Sequence, residues 1–172
     1  MQGIEIEKKY RVTKLPEDLE KYQKIEIEQA YLNHGCKPTL RLRKYNEDEY
    51  IISYKAKRKG HRDDLSVCDE IELPLSKEAY EHLKNKIDGR IIYKTRYVVP
   101  LDNGLKVEID RFKGFFEGVC FAEIEFKSEE QARSFEVPEW LGEDISNQKR
   151  VRNGYMAVEA GDIEEYRNLF LK

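Results

Sequence analysis

Seven short segments of this 172-residue chain carry two like-charged side chains two positions apart, beginning with Glu5-Ile6-Glu7-Lys8-Lys9. Read as a strand, that pentapeptide points Glu5, Glu7 and Lys9 to one face and Ile4, Ile6 and Tyr10 to the other. Carboxylates at i and i+2 on a strand stand roughly 7 Å apart. Like charges sharing a sheet face repel and gain nothing from packing. A divalent cation between them supplies a reason, because Mg²⁺ and Mn²⁺ prefer carboxylate oxygen. For the pentapeptide alone, a solvated amphipathic edge strand is the simpler account.

The other six pairs are Arg41/Arg43, Lys55/Lys57, Glu70/Glu72, Lys94/Arg96, Glu108/Asp110 and Glu123/Glu125. Each alternates with apolar residues, as strands with one polar and one apolar face do. Repetition in nearly every strand is costly unless counter-charges of both signs lie among the pairs. A closed antiparallel barrel with a polar interior meets that condition, since lumen-facing and outward-facing positions alternate along every strand. A membrane barrel alternates too, but Lys8, Glu26, Glu28 and Lys44 fall on the outward side here. Arginine forks and lysine ammoniums suit phosphate oxygens, and hard cations bridge those oxygens. Both signs together therefore suggest a metal-complexed polyphosphate as the guest. No GxxxxGK[ST] or GxGxxG loop is present, so phosphate is not held in the usual way at a helix N-terminus.

The elements that must present these pairs follow from periodicity and turn chemistry. Leu15-Pro16-Glu17-Asp18 begins a short helix. Strands follow at Ile25 to Leu32, Thr39 to Tyr45 and Tyr50 to Lys57, with Asn46-Glu47-Asp48-Glu49 as the intervening turn. Lys57 to Arg62 is a basic loop, either a solvated tip or a collector of anions. Val67 to Leu73 is a strand closed by Pro74. Ser76 caps a helix with an Ala79, Tyr80, Leu83, Ile87 stripe, ended by Asp88-Gly89. Ile92 to Val99 and Lys106 to Arg111 form a hairpin around Asn103-Gly104. A loop over Gly114 to Gly118 leads to a strand at Val119 to Phe126. Ser128 with Gln131 opens a short helix, Pro138 to Gly142 is irregular, and the remainder is helical with a second start at Asp162 and Glu165. The stripe of that last helix is Ile163, Tyr166, Leu169 and Phe170.

Composition bounds the rest. The length fits one domain over residues 1–172. Charged residues make up 38%, but the net charge is only −3, which argues against a generic nucleic-acid binder. Cys36, Cys68 and Cys120 have no metal-ligand spacing and read as reduced thiols, and His34, His61 and His82 are scattered. With no signal peptide and no apolar run near 18 residues, the expectation is a cytoplasmic protein without a membrane partner.

Residue by residue, the chain resembles the CYTH domain, or triphosphate tunnel metalloenzyme, superfamily. The resemblance rests on Glu5-x-Glu7-x-Lys9, Gln29-Ala30-Tyr31-Leu32, Arg41-Leu42-Arg43, Lys55, Glu70-Ile71-Glu72, Lys94 with Arg96, Glu108 with Asp110, and Ala122 to Phe126. Pro138 to Gly142 and Asn153 are similar to bacterial members. It implies an α+β, mainly antiparallel fold: an eight-stranded closed β-barrel, or tunnel, with a polar lumen and helices packed outside. It further implies divalent-metal-dependent hydrolysis of a triphosphate, with Mg²⁺ or Mn²⁺ as cofactor. By position, Glu5, Glu7, Glu123 and Glu125 would be metal ligands, with Asp110 and Glu108 close by and Glu70 or Glu72 contributing to a second site. Lys9, Arg41, Arg43, Lys55, Lys94 and Arg96 would grip phosphates, and Lys55 with Tyr31 matches a pair that takes part in chemistry in some members. The plainer reading of Tyr31 is a core tyrosine with its hydroxyl satisfied.

Two departures bear on substrate preference: Ser66-Val67-Cys68 stands where members commonly have an arginine, and Val151 where an aromatic is frequent. The substrate expected is inorganic tripolyphosphate or a nucleoside or thiamine triphosphate. The alternatives are an adenylate cyclase using the same tunnel and a non-catalytic polyphosphate or nucleotide binder. A monomer and a homodimer both remain open.

Overall fold

The computed structural model describes residues 2–57 and 66–168. The strands are β1 (Gln2–Val12), β2 (Gln23–Tyr31), β3 (Thr39–Tyr45), β4 (Glu49–Lys57), β5 (Ser66–Pro74), β6 (Asp88–Pro100), β7 (Lys106–Lys113), β8 (Cys120–Glu125) and β9 (Leu141–Asp144). The helices are α1 (Lys77–Lys84), α2 (Glu129–Ser134), α3 (Asn153–Glu159) and α4 (Ile163–Asn168). Every strand pairing is antiparallel, in the order β5-β4-β3-β2-β6-β7-β8-β1, and a β1–β5 pairing closes the ring. The sheet is thus a closed eight-stranded barrel with no free edge along most of its circumference. β1 pairs β5 through Gln2 to Glu7 and β8 through Glu7 to Arg11, and β9 adds to β1 at Tyr10 and Val12.

Outward faces carry the apolar half of each alternation. Ala30, Leu42 and Tyr50 pack under Tyr80 of α1, whose N-cap Ser76 hydroxyl accepts from Ala79 N at 3.2 Å. Tyr10, Val107, Ile109, Ala122 and Ile124 pack against Leu141, Phe135 and Trp140 beside α2. There Gln131 N donates to Ser128 Oγ at 3.1 Å, and Gln131 Oε1 accepts from Lys127 N at 2.9 Å.

The inward faces change character along their length. Toward one end of the barrel, the charged positions of β6, β7 and β8 give way in phase to Ile92, Phe112 and Phe121, all buried. Ile145, Val151, Met156 and Ala157 from the C-terminal segment pack onto them. That apolar cap closes part of one end and leaves the rest of the lumen open.

Several expectations are corrected. Residues 138–142 are not irregular throughout, because Leu141 and Gly142 open β9. The remainder is not continuous helix: β9, a 3₁₀ turn at Lys149–Val151 and two short helices share it. Asp88-Gly89 does not end a helix but begins β6, four residues past the end of α1. The helix expected after Leu15 is a single 3₁₀ turn at Leu19–Lys21. Most of the basic loop (58–62), and Leu169 and Phe170, lie outside the described residues.

Gly89 shows why β6 starts as it does. Its φ is +73°, and a Cβ there would overlap the Ala157 carbonyl oxygen and come within 2.8 Å of a Val158 methyl. The capping segment can therefore sit directly on the strand only where no side chain intervenes. Gly89→Ala is expected to lower unfolding stability by about 2 kcal/mol or more, read as a fall in urea midpoint at unchanged m-value.

Candidate active site

The barrel encloses a cavity of about 900 Å³. Its lining includes Glu5, Glu7, Lys9, Tyr31, Arg41, Arg43, Lys55, Glu70, Glu72, Arg96, Glu108, Glu123 and Glu125. Thirteen of the fifteen residues singled out in the sequence therefore meet in one space. The other two, Lys94 and Asp110, are brought to the same network but lie behind it, each with a fully buried side chain.

Register explains the convergence. Lys9 lies opposite Glu123, Arg96 opposite Asp110, and Lys55 opposite Glu70. The acidic strands β7, β8, β1 and β5 run consecutively around the barrel, and the basic strands β4, β3 and β6 lie on the remaining arc. Opposite charges therefore meet at the β4–β5 and β6–β7 boundaries and at Lys9 within the acidic arc. They also meet through long side chains that reach past a neighbouring strand, as Arg41 does to Glu70 and Arg96 to Glu123.

On one wall, Lys55 Nζ forms an ion pair with Glu5 and stands 3.7 Å from Glu70 and 4.0 Å from Glu7. Arg41 pairs with Glu70, and its Nε donates to Ser53 Oγ at 3.0 Å. Arg43 donates to Gln29 Oε1 at 3.1 Å and to Tyr45 Oη at 2.8 Å, with Glu72 at 3.5 Å. Gln29 Nε2 in turn donates to Tyr31 Oη at 2.6 Å. Tyr31 and Lys55 share the cavity, but Lys55 turns to Glu5 and Tyr31 to Gln29. Burial raises the Tyr31 phenol above its ordinary value despite the nearby guanidiniums, so its hydroxyl keeps its proton at neutral pH.

On the opposite wall, Arg96 is the hub. It grips Asp110 through two hydrogen bonds of 2.7 Å, donates to Glu123 at 2.6 Å and pairs with Glu108. Lys9 pairs with Glu123 and lies 3.6 Å from Glu7. Burial alone would raise the Glu123 carboxyl, yet Lys9 and Arg96 hold it well below the usual carboxylate range. Burial likewise acts to lower the Lys9 and Lys55 ammoniums, and their carboxylate neighbours outweigh it. Lys94 goes the other way: burial, reinforced by Arg96, pushes it down to about 8, because Asp110 only partly compensates.

Glu125 is the exception to this pairing. Among the described residues it makes no hydrogen bond or ion pair. Partial desolvation and the charges of Glu5, Glu108, Glu7 and Glu70 raise its carboxyl above the ordinary value. Glu5 Oε2 is buried without an aligned hydrogen bond, with only the Lys55 ammonium beside it. Where Glu5, Glu7 and Glu125 approach one another, negative charge is in excess and the donors are carboxylate oxygens throughout. That donor chemistry fits a hard divalent cation. Among the described residues the carboxylates are not gathered into a ready-made cluster of three, since most are drawn toward lysine or arginine.

A family model for the CYTH domain matches residues 3–164. The chain belongs to the CYTH domain family. The inorganic triphosphatase of Nitrosomonas europaea is 32% identical over 155 residues, covering 90% of this chain and 97% of that one. The inorganic triphosphatase of Acetivibrio thermocellus is 30% identical over 156 residues, covering 88% of this chain and 91% of that one. A crystal structure of an inorganic triphosphatase matches with a TM-score of 0.67 at 30% identity, over 92% of this chain and 97% of that chain.

The inward faces of this CYTH barrel also carry polar residues outside the charged pairs. Gln29, Ser53 and Tyr45 lie in phase with Tyr31, Lys55 and Arg43 on their strands, and that phase was the available signal. Ser146 also lines the cavity; its hydroxyl accepts from Lys9 N at 2.9 Å and ties the segment after β9 to β1. No periodicity announces a loop residue of this kind.

The Lys94 geometry sets a pH dependence. Its folded pKa of about 8 lies below the ordinary lysine value of 10.5, so between these limits the unfolded chain binds more protons. Stability should therefore rise with pH through that window. Chemical denaturation from pH 7.5 to 9.5 is expected to show a positive slope in wild type that is reduced in Lys94→Met. Equal slopes would remove Lys94 as its source.

Proposed function

We propose that this CYTH protein is a divalent-metal-dependent hydrolase of triphosphates, with inorganic tripolyphosphate as the substrate fitted best. The observation that carries this reading is a closed lumen in which guanidinium and ammonium groups share one cavity with carboxylates, one region being left with excess negative charge. A polyanion binder alone would be served by cations alone; the acidic half asks for a metal. The inorganic triphosphatases of Nitrosomonas europaea and Acetivibrio thermocellus, similar over most of their length, support the same substrate.

In this reading Glu5, Glu7, Glu123 and Glu125 would hold the cation, Mg²⁺ or Mn²⁺, with Glu108 adjacent and Glu70 or Glu72 serving a second position. When bound, the metal supplies charge neutralisation at the phosphate oxygens and a more acidic water. Arg41, Arg43, Lys55, Lys9 and Arg96 bind the phosphate oxygens and stabilise charge that builds on the leaving group. Lys94 and Asp110, set behind the lining, act through Arg96 by fixing its guanidinium plane. Tyr31, with its proton retained, can donate a hydrogen bond to a phosphate oxygen near Lys55. The apolar cap built on Ile92, Phe112 and Phe121 keeps water from that part of the lumen and strengthens each electrostatic contact.

The direct test is phosphate release from tripolyphosphate, thiamine triphosphate and ATP with each metal. Tripolyphosphate turnover with phosphate as product is expected; cyclic AMP from ATP would indicate the cyclase alternative, and tight binding without release a sensor. Glu5→Ala, Glu7→Ala and Glu125→Ala should each abolish turnover while circular dichroism stays that of wild type. Activity surviving in all three would remove the metal assignment. Arg41→Ala is expected to raise the tripolyphosphate KM more than tenfold, by about 1.5–3 kcal/mol for a charge-assisted contact, with little change in the half-activating metal concentration.

A further inference from the structure

The two mouths of the cavity differ in charge. At one end the chain passes from β2 to β3 through 32–38, and the segment from Ser146 to Tyr155 lies beside it. Gly154 stands within van der Waals range of the Tyr31 ring at the end of β2, which places both segments at the same mouth. Lys37, Lys149 and Arg152 line the cavity there. Glu159 is the one acidic lining residue of this rim among those described, and it is held by His34 Nε2 at 3.1 Å and Lys149 Nζ at 3.5 Å. The opposite mouth is formed where β5 and β8 end and β7 begins. It presents Glu72, Glu108 and Glu125, with the cations Arg43 and Arg96 recessed behind them, at 14% and 10% side-chain exposure.

We propose that Lys37, Lys149 and Arg152 are an electrostatic entrance for the anionic substrate, and that the acidic mouth turns it away. This rests on the triphosphate reading of the lumen. A cleft with low-dielectric walls focuses the field of charges on its rim, and steering of this kind raises association by about 10 to 10³-fold. The three cations line the cavity itself, so a triphosphate that meets them is already on the path to Arg41 and Lys55. An anion approaching the other mouth meets carboxylates first. With a Debye length of about 8 Å at physiological ionic strength, each rim acts on what enters it and little on the far one. These rim residues touch no reacting atom; their effect is on encounter.

The test is kcat/KM for tripolyphosphate as a function of ionic strength, compared across variants. Combining Lys37→Glu, Lys149→Glu and Arg152→Glu should lower kcat/KM at least about tenfold at low salt. The deficit should shrink as salt is added, with kcat and the half-activating Mn²⁺ concentration unchanged. Lys37→Glu and Arg152→Glu, both exposed, carry part of the effect singly should the triple variant not fold. Glu159→Gln, which removes the rim's opposing charge, should raise kcat/KM, and Lys77→Glu on α1 should leave it unchanged. The entrance is overturned if wild type hydrolyses tripolyphosphate and the charge-reversed variants keep its kcat/KM and salt slope, or lose kcat with the slope intact. A wild type that releases no phosphate from tripolyphosphate instead overturns the function on which the proposal rests.

Discussion

A charge placed inside a closed barrel must be compensated there, and this requirement shapes the molecule. Taking an isolated carboxylate or ammonium out of water costs several kcal/mol even after relaxation. The lumen meets most of that cost by bringing cations to the acidic arc of β7, β8, β1 and β5: Lys9 on β1 lies opposite Glu123, Lys55 on β4 opposite Glu70, and Arg96 on β6 opposite Asp110. Register is therefore specified from both faces. A one-residue slip would move the apolar residues into the lumen and the charged ones under α1 and α2.

The outer layers follow from the same alternation. Because the polar half of every strand is turned inward, the apolar half is turned outward and needs cover. Tyr80 of α1 covers Leu42 and Tyr50, while Phe135 and Trp140 cover the wall from Tyr10 to Ile124. The capped end is the exception that completes the design. There Ile92, Phe112 and Phe121 face inward, and the C-terminal segment enters to meet them. Asp110 and Lys94 sit at the boundary between charged lumen and apolar cap, which is why they are the most deeply buried ions of the set.

The period-two pattern made the barrel and most of its lining legible in the sequence. Glu5 with Glu7, or Arg41 with Arg43, is consistent alone with a solvated face; it is the repetition of such pairs in nearly every strand that asks for a shared interior. What could not be read has a common cause: it depends on contacts between distant segments. Gly142 and Leu141 join β1 through tertiary pairing that four residues cannot announce by alternation. Gly89 looked like a helix terminator, because a positive-φ glycine suits both a helix end and a close approach by another segment. The burial of Lys94 behind Arg96 is hidden because both residues obey the same alternation. Depth in the barrel is set by the cap, not by strand phase. Lys149 and Arg152 were hidden for the opposite reason, since they lie in connections with no period at all.

The internal ion pairs also bear on how a triphosphate and a metal would enter together. A phosphate oxygen that recruits Arg41 or Lys55 must draw it from Glu70 or Glu5, leaving a buried carboxylate uncompensated. A cation that recruits Glu5 or Glu123 must likewise draw it from Lys55 or Lys9, leaving a buried ammonium. Each ligand alone exchanges one pairing for another and strands a charge. Both together convert lysine–carboxylate pairs into lysine–phosphate and carboxylate–metal pairs with none left over. By linkage, such an arrangement makes each ligand strengthen the binding of the other by the same factor. Glu125, which has no cationic partner among the described residues, would be the position where a proposed metal gains without displacing anything, and so its natural first contact in that exchange.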